Sequence, residues 1–159
     1  MKNSEGGIGE KMEKEKNRIL DKDLFLFFLD LEVKRARRYQ NFLCLLLLRL
    51  HPHSKNNGWD FKTCFESLSD LLKMEMRESD ILGSLDHHQL VILLPYADGK
   101  AGEQAKERFE DTLKYYDFKK KGFEVTIDQI CFPVNGTDTM DLMRKVLESE
   151  TESAKGSAL

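Results

Sequence analysis

The chain has 159 residues, of which 40% are hydrophobic and 33% charged, and its formal net charge is -3. This length fits one domain with short tails. A charge so close to neutrality gives no overall basic field, so we expect no non-specific binding to nucleic acid. The longest apolar run, Phe42 to Leu48, is far shorter than the roughly 20 residues that span a bilayer. We therefore expect no membrane insertion.

The number and spacing of the cysteines indicate the cellular compartment in which the protein is expected. There are three, Cys44, Cys64 and Cys131, an odd number at wide spacing. This pattern fits neither a disulfide framework nor a zinc knuckle, so we interpret them as buried free thiols in a reducing cytosol. Because the N-terminal segment is polar, we expect no secretory signal. The expected location is cytoplasmic.

The chain begins with a polar segment. Residues 1–16 are mostly Gly, Lys and Glu and are predicted to be a mobile tail. A single domain is predicted over residues 17–150, with a C-terminal tail over 151–159 that frays from Ser153.

The first predicted helix runs from Arg18 to Tyr39. Its apolar positions at helical spacing are Leu20, Leu24, Phe28 and Leu31, and it ends in the basic cluster Arg35, Arg37 and Arg38. Further apolar residues between them make the helix apolar on much of its circumference. Two interpretations stay open: a deeply buried helix, or a face that binds a second copy or a partner protein.

The later elements follow from apolar runs and helical periodicity. They are a strand at Phe42–Leu48, a turn-like stretch from Pro52 to Gly58, a helix at Phe61–Met76, strands at Ile81–Leu85 and Leu90–Leu94 joined by a hairpin tip, a helix over residues 99–116, a strand at Phe123–Phe132 and a helix from Met140 to about Glu148. This order predicts an α+β fold with a central, mostly antiparallel sheet flanked by helices.

Four local patterns stand in this framework: Asn17-Arg18, the segment from Glu32 to Tyr39 with its Arg-Ala-Arg-Arg run, Leu48-Arg49-Leu50-His51, and the hairpin from Ile81 to Pro95. Together they resemble the GGDEF family, whose active members condense two GTP molecules into cyclic di-GMP on a palm-like nucleotide-cyclase fold. The resemblance covers roughly residues 17–145. It lacks the family's Leu-Thr-Gly-Leu stretch before Asn17.

On this match the catalytic positions are altered. The residues in the Gly-Gly-Asp-Glu-Phe positions are Asp86, His87, His88, Gln89 and Leu90, and Arg49 and His51 stand where an active enzyme has Asp-x-Asp. Magnesium needs hard oxygen ligands to bridge a triphosphate, whereas Arg49 is a fixed cation that would repel it. The resemblance therefore implies a degenerate cyclase domain without catalytic residues or bound magnesium.

A second family motif is retained. Arg77-Glu78-Ser79-Asp80 is an Arg-x-x-Asp separated from Asp86 by five residues, which is similar in type and spacing to the family's inhibitory product-binding site. Carrying the register forward without a gap places Arg108 at the family's third contributor. An arginine fork suits phosphate oxygens and the O6/N7 edge of guanine. The alternative is an ordinary solvated ion pair at a helix-to-strand corner.

Other residues carry weaker patterns. Asn57 lies at about the spacing of the family's guanine-reading asparagine. All four histidines, His51, His53, His87 and His88, fall at the strand end and the hairpin tip. They could take zinc or nickel at a vacated magnesium site, or be neutral surface side chains.

We therefore predict a non-enzymatic receptor for cyclic di-GMP that binds through Arg77, Asp80 and Arg108, with a homodimer or partner surface on the first helix. The rival hypothesis is a ligand-independent scaffold for dimerisation or docking. Residual cyclase activity is a third, weaker possibility.

Overall fold

The computed structural model describes residues 18–53 and 60–157. Asn17 and Asn57 lie outside the described residues. The helices are α1 (Lys22–Tyr39), α2 (Phe61–Glu75), α3 (Gly99–Tyr116) and α4 (Thr139–Ser157), with a 3-10 turn at Phe118–Lys121. The strands are β1 (Leu43–Pro52), β2 (Ile81–Asp86), β3 (Gln89–Pro95) and β4 (Phe123–Phe132).

The four strands form one sheet in the order β2-β3-β1-β4, with every neighbouring pair antiparallel. This confirms the predicted α+β class. The central strand β1 pairs with β4 from Leu43 to Pro52 and with β3 from Leu43 to Arg49. Register therefore places the end of β1 beside the hairpin between β2 and β3.

Helices cover both faces of the sheet because β1 is apolar on both sides. Leu46 and Leu48 pack in the core cluster that contains residues of α2 and α3. Leu45 and Leu47, which point the other way, pack in the cluster that contains residues of α1 and α4. Each fully buried leucine contributes about 1.5–3 kcal/mol relative to exposure.

All four described α-helices begin at an aspartate N-cap. The carboxylates of Asp21, Asp60, Asp98 and Asp138 accept hydrogen bonds from the backbone N–H three residues on, at 2.9, 2.6, 2.8 and 2.8 Å. The predicted start of the first helix at Arg18 is wrong, because Leu20 instead pairs with Gly83 at the edge of β2.

The face that α1 buries also differs from the prediction. The buried residues are Phe25, Leu29, Val33 and Ala36. The predicted apolar stripe of Leu24, Phe28 and Leu31 is instead partly or largely exposed. The interpretation of α1 as a deeply buried helix is therefore wrong, since the sheet takes one face and leaves a second apolar face uncovered.

Two predicted elements are longer than expected. Strand β1 continues to Pro52 because its ladder with β4 extends past Leu48, so Arg49 and His51 lie within the strand. Helix α4 continues from the predicted end at Glu148 to Ser157, with no proline to stop it. The helix therefore reaches into the segment 151–159, whose fraying from Ser153 stays a prediction.

The prediction of three free thiols is wrong for two of them. Cys44 and Cys131 form a disulfide, and only Cys64 is free. The two partners are 87 residues apart in sequence, but the antiparallel register places them directly opposite each other on β1 and β4. Sequence spacing could not show that pairing.

None of the described helices is both long enough and apolar enough to cross a bilayer.

Candidate functional site

The segment from Arg77 to Asp80 forms a tight turn between α2 and β2. The backbone N–H of Arg77 donates to Oδ2 of Asp80 at 2.9 Å, and the backbone N–H of Asp80 donates to the carbonyl oxygen of Arg77 at 3.0 Å. This reciprocal pair fixes the backbone of the corner. The side chain of Arg77 is left exposed at its rim.

Asp80 is the buried member of the corner, only 8% exposed. Burial raises the pKa of its carboxyl group above the ordinary value, and the Arg77 N–H hydrogen bond and the charges of Arg108 and Arg77 act in the opposite direction. Arg77 contacts Asp80 through its backbone N–H, and Arg108 reaches the same corner through its ion pair with Glu75, two residues before Arg77. The role of the three residues in binding a ligand stays a prediction.

The corner also contains residues that the sequence did not indicate. Glu75, the last residue of α2, pairs through Oε1 with Nε of Arg108 at 3.0 Å. The hydroxyl of Thr112, one turn further along α3, lies 3.2 Å from the other oxygen of Glu75. A carboxylate at a helix C-terminus meets the unfavourable end of the dipole, so Arg108 compensates Glu75.

The Glu75 contact uses only one edge of the Arg108 guanidinium. Within residues 18–53 and 60–148, whose side chains are described, neither terminal amino group of Arg108 donates a hydrogen bond, and Arg77 has no ion-pair partner. The corner can therefore present cationic donors from two elements beside a recessed carboxylate. Only knowledge of the helix packing could have identified Glu75 and Thr112.

The other predicted region lies at the end of β1 and the hairpin. Arg49 is 1% exposed. Its terminal nitrogens donate to Oδ2 of Asp128 at 3.2 Å and to the carbonyl oxygen of Val146 in α4 at 3.3 Å. Arg49 is thus a buried cation that joins β1, β4 and α4.

Gln89 extends this network to the hairpin. With its amide oriented to satisfy both neighbours, it accepts from Nε of Arg49 at 2.9 Å and donates to Oδ2 of Asp86 at 3.2 Å. The other oxygen of Asp86 accepts from the backbone N–H of His88 at 2.9 Å. The hairpin tip is therefore tied to the interior by its own side chains.

The histidines occupy different surroundings. Nε2 of His51 lies 3.3 Å from the hydroxyl of Thr126. Burial, followed by the charges of Arg49 and His88, lowers the pKa of His51 below its ordinary value. His53 faces Glu124 at 3.8 Å, and His87 is exposed at the turn.

This donor set does not fit magnesium. The positions of the expected oxygen ligands hold an arginine, a glutamine and imidazoles, and the arginine takes the central, buried place. Among the described residues no group of three or more His, Cys, Asp or Glu side chains could hold a metal ion.

A separate cavity of about 690 Å³ lies between α3 and β4. Its lining includes Leu113, Phe118, Val125 and Asp128, and includes none of Arg77, Asp80 and Arg108. The predicted ligand site is therefore an open corner outside this cavity.

The fold has clear counterparts among solved structures. A diguanylate cyclase protein from Thermotoga maritima superposes with a TM-score of 0.70 at 15% identity, over 84% of this chain and 96% of that chain. The fold is that of a GGDEF domain.

Two further structures share the GGDEF fold. The FimX GGDEF domain of Pseudomonas aeruginosa gives a TM-score of 0.69 at 14% identity, over 89% of this chain and 92% of that chain. The GGDEF domain of DgcB from Caulobacter crescentus, solved in complex with c-di-GMP, gives 0.68 at 10% identity, over 87% and 86%. No protein-family model and no curated protein matches the sequence.

Proposed function

We propose that this GGDEF-fold domain is a non-catalytic receptor for cyclic di-GMP and binds it at the corner of Arg77, Asp80 and Arg108. The observation that carries the proposal is the corner itself, where the backbone N–H of Arg77 donates to the buried Asp80 carboxylate at 2.9 Å and Arg108 of α3 pairs at 3.0 Å with Glu75, two residues before Arg77. A receptor for a bacterial messenger of this kind would act in the cytoplasm.

The chemistry of the corner suits a guanine nucleotide. Asp80 can accept the N1 and N2 protons of guanine, while the free edge of Arg108 can donate to O6 and N7. Arg77, exposed at the rim, supplies a cation for a phosphodiester. The complex of the similarly folded DgcB domain with c-di-GMP makes this ligand the first to test.

The absence of cyclase activity is the second part of the proposal, and Arg49 supports it. Phosphoryl transfer to GTP needs a divalent cation held by oxygen ligands. In this chain the end of β1, where the resemblance predicts magnesium ligands, holds the buried guanidinium of Arg49, which is hydrogen-bonded to Asp128, Val146 and Gln89. We expect no cyclic di-GMP to form when the protein is incubated with GTP and magnesium, and turnover would contradict this part.

A ligand-independent scaffold is the second candidate function. It is favoured by the uncovered apolar residues of α1, such as Phe27, which is 59% exposed. The two functions are compatible in one domain, because α1 and the corner are different surfaces. We propose that α1 is the contact surface through which the domain acts on another protein chain.

The receptor is tested by isothermal titration of cyclic di-GMP into the wild-type protein and the Arg77→Ala variant. We expect wild-type binding at micromolar concentration or tighter, about -8 kcal/mol, and a loss of at least tenfold in the variant. Arg144→Ala is the matched control because Arg144 is 65% exposed and lies outside the corner.

Absence of binding to the wild-type protein would overturn the receptor and leave the scaffold. Equal binding by wild type and Arg77→Ala would place the ligand somewhere other than the corner.

A further inference from the structure

Helix α1 carries an exposed apolar stripe, defined here as Leu24, Phe27, Phe28 and Leu31. These side chains are 38%, 59%, 36% and 48% exposed, respectively. They recur at three- and four-residue steps and so lie on one side of the helix. The rings of Phe27 and Phe28 meet edge to face at 5.8 Å, which makes the stripe continuous across its centre.

The described part of the chain leaves this stripe uncovered. Helix α1 buries its opposite side against the sheet through Phe25, Leu29 and Val33, and one flank faces α4, where Thr139 donates to Asp30 at 2.9 Å. Residues 1–17 contain only three apolar residues, Met1, Ile8 and Met12. Their composition does not suit an apolar cover.

The charges along α1 indicate what would cover the stripe. The N-terminal part, with its Asp21 cap, carries three acidic residues and one basic residue, Asp21, Lys22, Asp23 and Asp30. The part from Leu31 to Tyr39 carries one acidic and four basic residues, Glu32, Lys34, Arg35, Arg37 and Arg38. Two copies of α1 packed antiparallel would set each acidic part against a basic part.

We propose that the α1 stripe is the contact between two copies of this chain, with their α1 helices antiparallel around a twofold axis near Phe28. Such an isologous contact buries the same residues of both copies. Covering the four partly exposed apolar side chains would supply the driving force, since removing apolar surface from water favours association. The proposal rests on the role given to α1 as a contact surface, and does not require nucleotide binding.

The antiparallel arrangement predicts a specific ion pair. Asp23 and Lys34 are eleven residues apart in sequence, about three helical turns, so they lie on the same flank of α1. A twofold axis midway between them, next to Phe28, brings Asp23 of one copy opposite Lys34 of the other. Lys34 is paired within its own chain with Asp30 at 2.8 Å, but both side chains are largely exposed, and such pairs exchange at little cost.

The first test is sedimentation equilibrium of the full chain without nucleotide, from about 5 to about 500 μM, a range that covers modest dimer affinities. We expect the wild type to dimerise and the Phe27→Glu variant to dissociate at least tenfold more readily. Tyr115→Glu, at a 92% exposed aromatic residue of α3, is the control and should dimerise like the wild type. A wild-type protein that stays monomeric throughout would overturn the proposal, whether or not it binds cyclic di-GMP.

The second test identifies the geometry of the dimer. Asp23→Lys and Lys34→Glu should each weaken the dimer about threefold to tenfold, whereas the double variant should recover most of the wild-type affinity because the pair is re-formed with reversed charges. A double variant weaker than both single variants would overturn the antiparallel contact.

Discussion

The corner of Arg77, Asp80 and Arg108 and the network around Arg49 are both rich in arginine, yet they use it differently. Arg49 is buried, and the hydrogen bonds described for its terminal nitrogens go to side-chain and backbone oxygens of the same chain. Arg77 is exposed, and Arg108 uses only its Nε in an ion pair. The first region joins elements of the fold, while the second leaves an exposed guanidinium at the surface.

This difference follows from position in the sheet. Arg49 lies in the central strand, between β3 and β4, where a cation must be satisfied internally because water is excluded. Arg77 and Arg108 lie on a turn and on a helix surface, where water satisfies free donors. The three arginines have the same side-chain chemistry, and their different roles follow from whether they lie in the buried central strand or at the surface.

The largest effect is expected at the buried cation. Arg49→Met should lower the free energy of unfolding by about 2–4 kcal/mol, because Asp128, Gln89 and a backbone carbonyl lose a shared donor. Urea denaturation measures this loss. Arg144→Met, at an exposed arginine, should change stability by less than about 0.5 kcal/mol. A comparable loss in both variants would remove the distinction between the two regions.

A smaller effect of opposite sign is expected beside Arg108. Glu75→Gln removes a negative charge at the proposed site of an anionic ligand while keeping the size of the side chain. Cyclic di-GMP should bind about threefold to tenfold more tightly, roughly 0.7–1.4 kcal/mol. The control is Glu107→Gln, at an exposed residue of α3 next to Arg108. Weaker binding by Glu75→Gln would instead show that Glu75 positions Arg108.

The pH dependence of binding provides a finer test of the corner. Guanine needs the ionised Asp80 carboxylate as acceptor, and burial raises the pKa of that group above the ordinary 3.8. The affinity for cyclic di-GMP should therefore be highest at neutral pH and fall as the pH decreases through the raised pKa of Asp80. The midpoint of this fall should lie at a higher pH than an ordinary carboxyl group would give. Titrations at several pH values measure the midpoint.

The same shift affects stability with a defined sign. Between the unfolded and folded pKa values the native state binds more protons, so the stability contributed by Asp80 decreases as the pH rises through that window. The Asp80→Asn variant should lack this pH-dependent contribution to stability.

For ligand binding, a pH profile with its midpoint at or below 3.8 would contradict the burial of Asp80.

The smallest effect is expected at His51. Its pKa lies below the ordinary 6.5 because of burial and the nearby charge of Arg49, so its imidazole should titrate below that value in an NMR experiment. In Arg49→Met the midpoint should rise, because one repelling charge is gone. An unchanged midpoint would mean that the charge of Arg49 does not contribute to the lowered pKa of His51.

Much of the fold could be predicted from the sequence, because apolar periodicity marks α3 and β4 at their observed limits. The prediction of the buried face of α1 was wrong. Apolar residues surround this helix, so the sequence alone does not show that Phe25 and Leu29 are the residues that pack against the sheet. The Cys44–Cys131 disulfide was missed because strand register, which is a property of the whole sheet, brings the pair together.

The candidate site was predicted in part. Arg77, Asp80 and Arg108 follow from a motif and its register, and their role as a site stays a prediction; the structure shows Arg77 bonded to Asp80 through its backbone and Arg108 paired with Glu75. Glu75 and Thr112 carry no local signal, because their contact with Arg108 depends on the packing of α2 against α3. The burial of Arg49 was likewise hidden by the early predicted end of β1.

The most direct test is a crystal structure of the protein soaked with cyclic di-GMP. We expect a guanine hydrogen-bonded to Asp80 and to the free edge of Arg108, with a phosphodiester near Arg77 and no nucleotide beside Arg49. Nucleotide bound at the end of β1 and the hairpin, or a corner that stays empty at saturating ligand, would contradict the assignment of the corner as the receptor site.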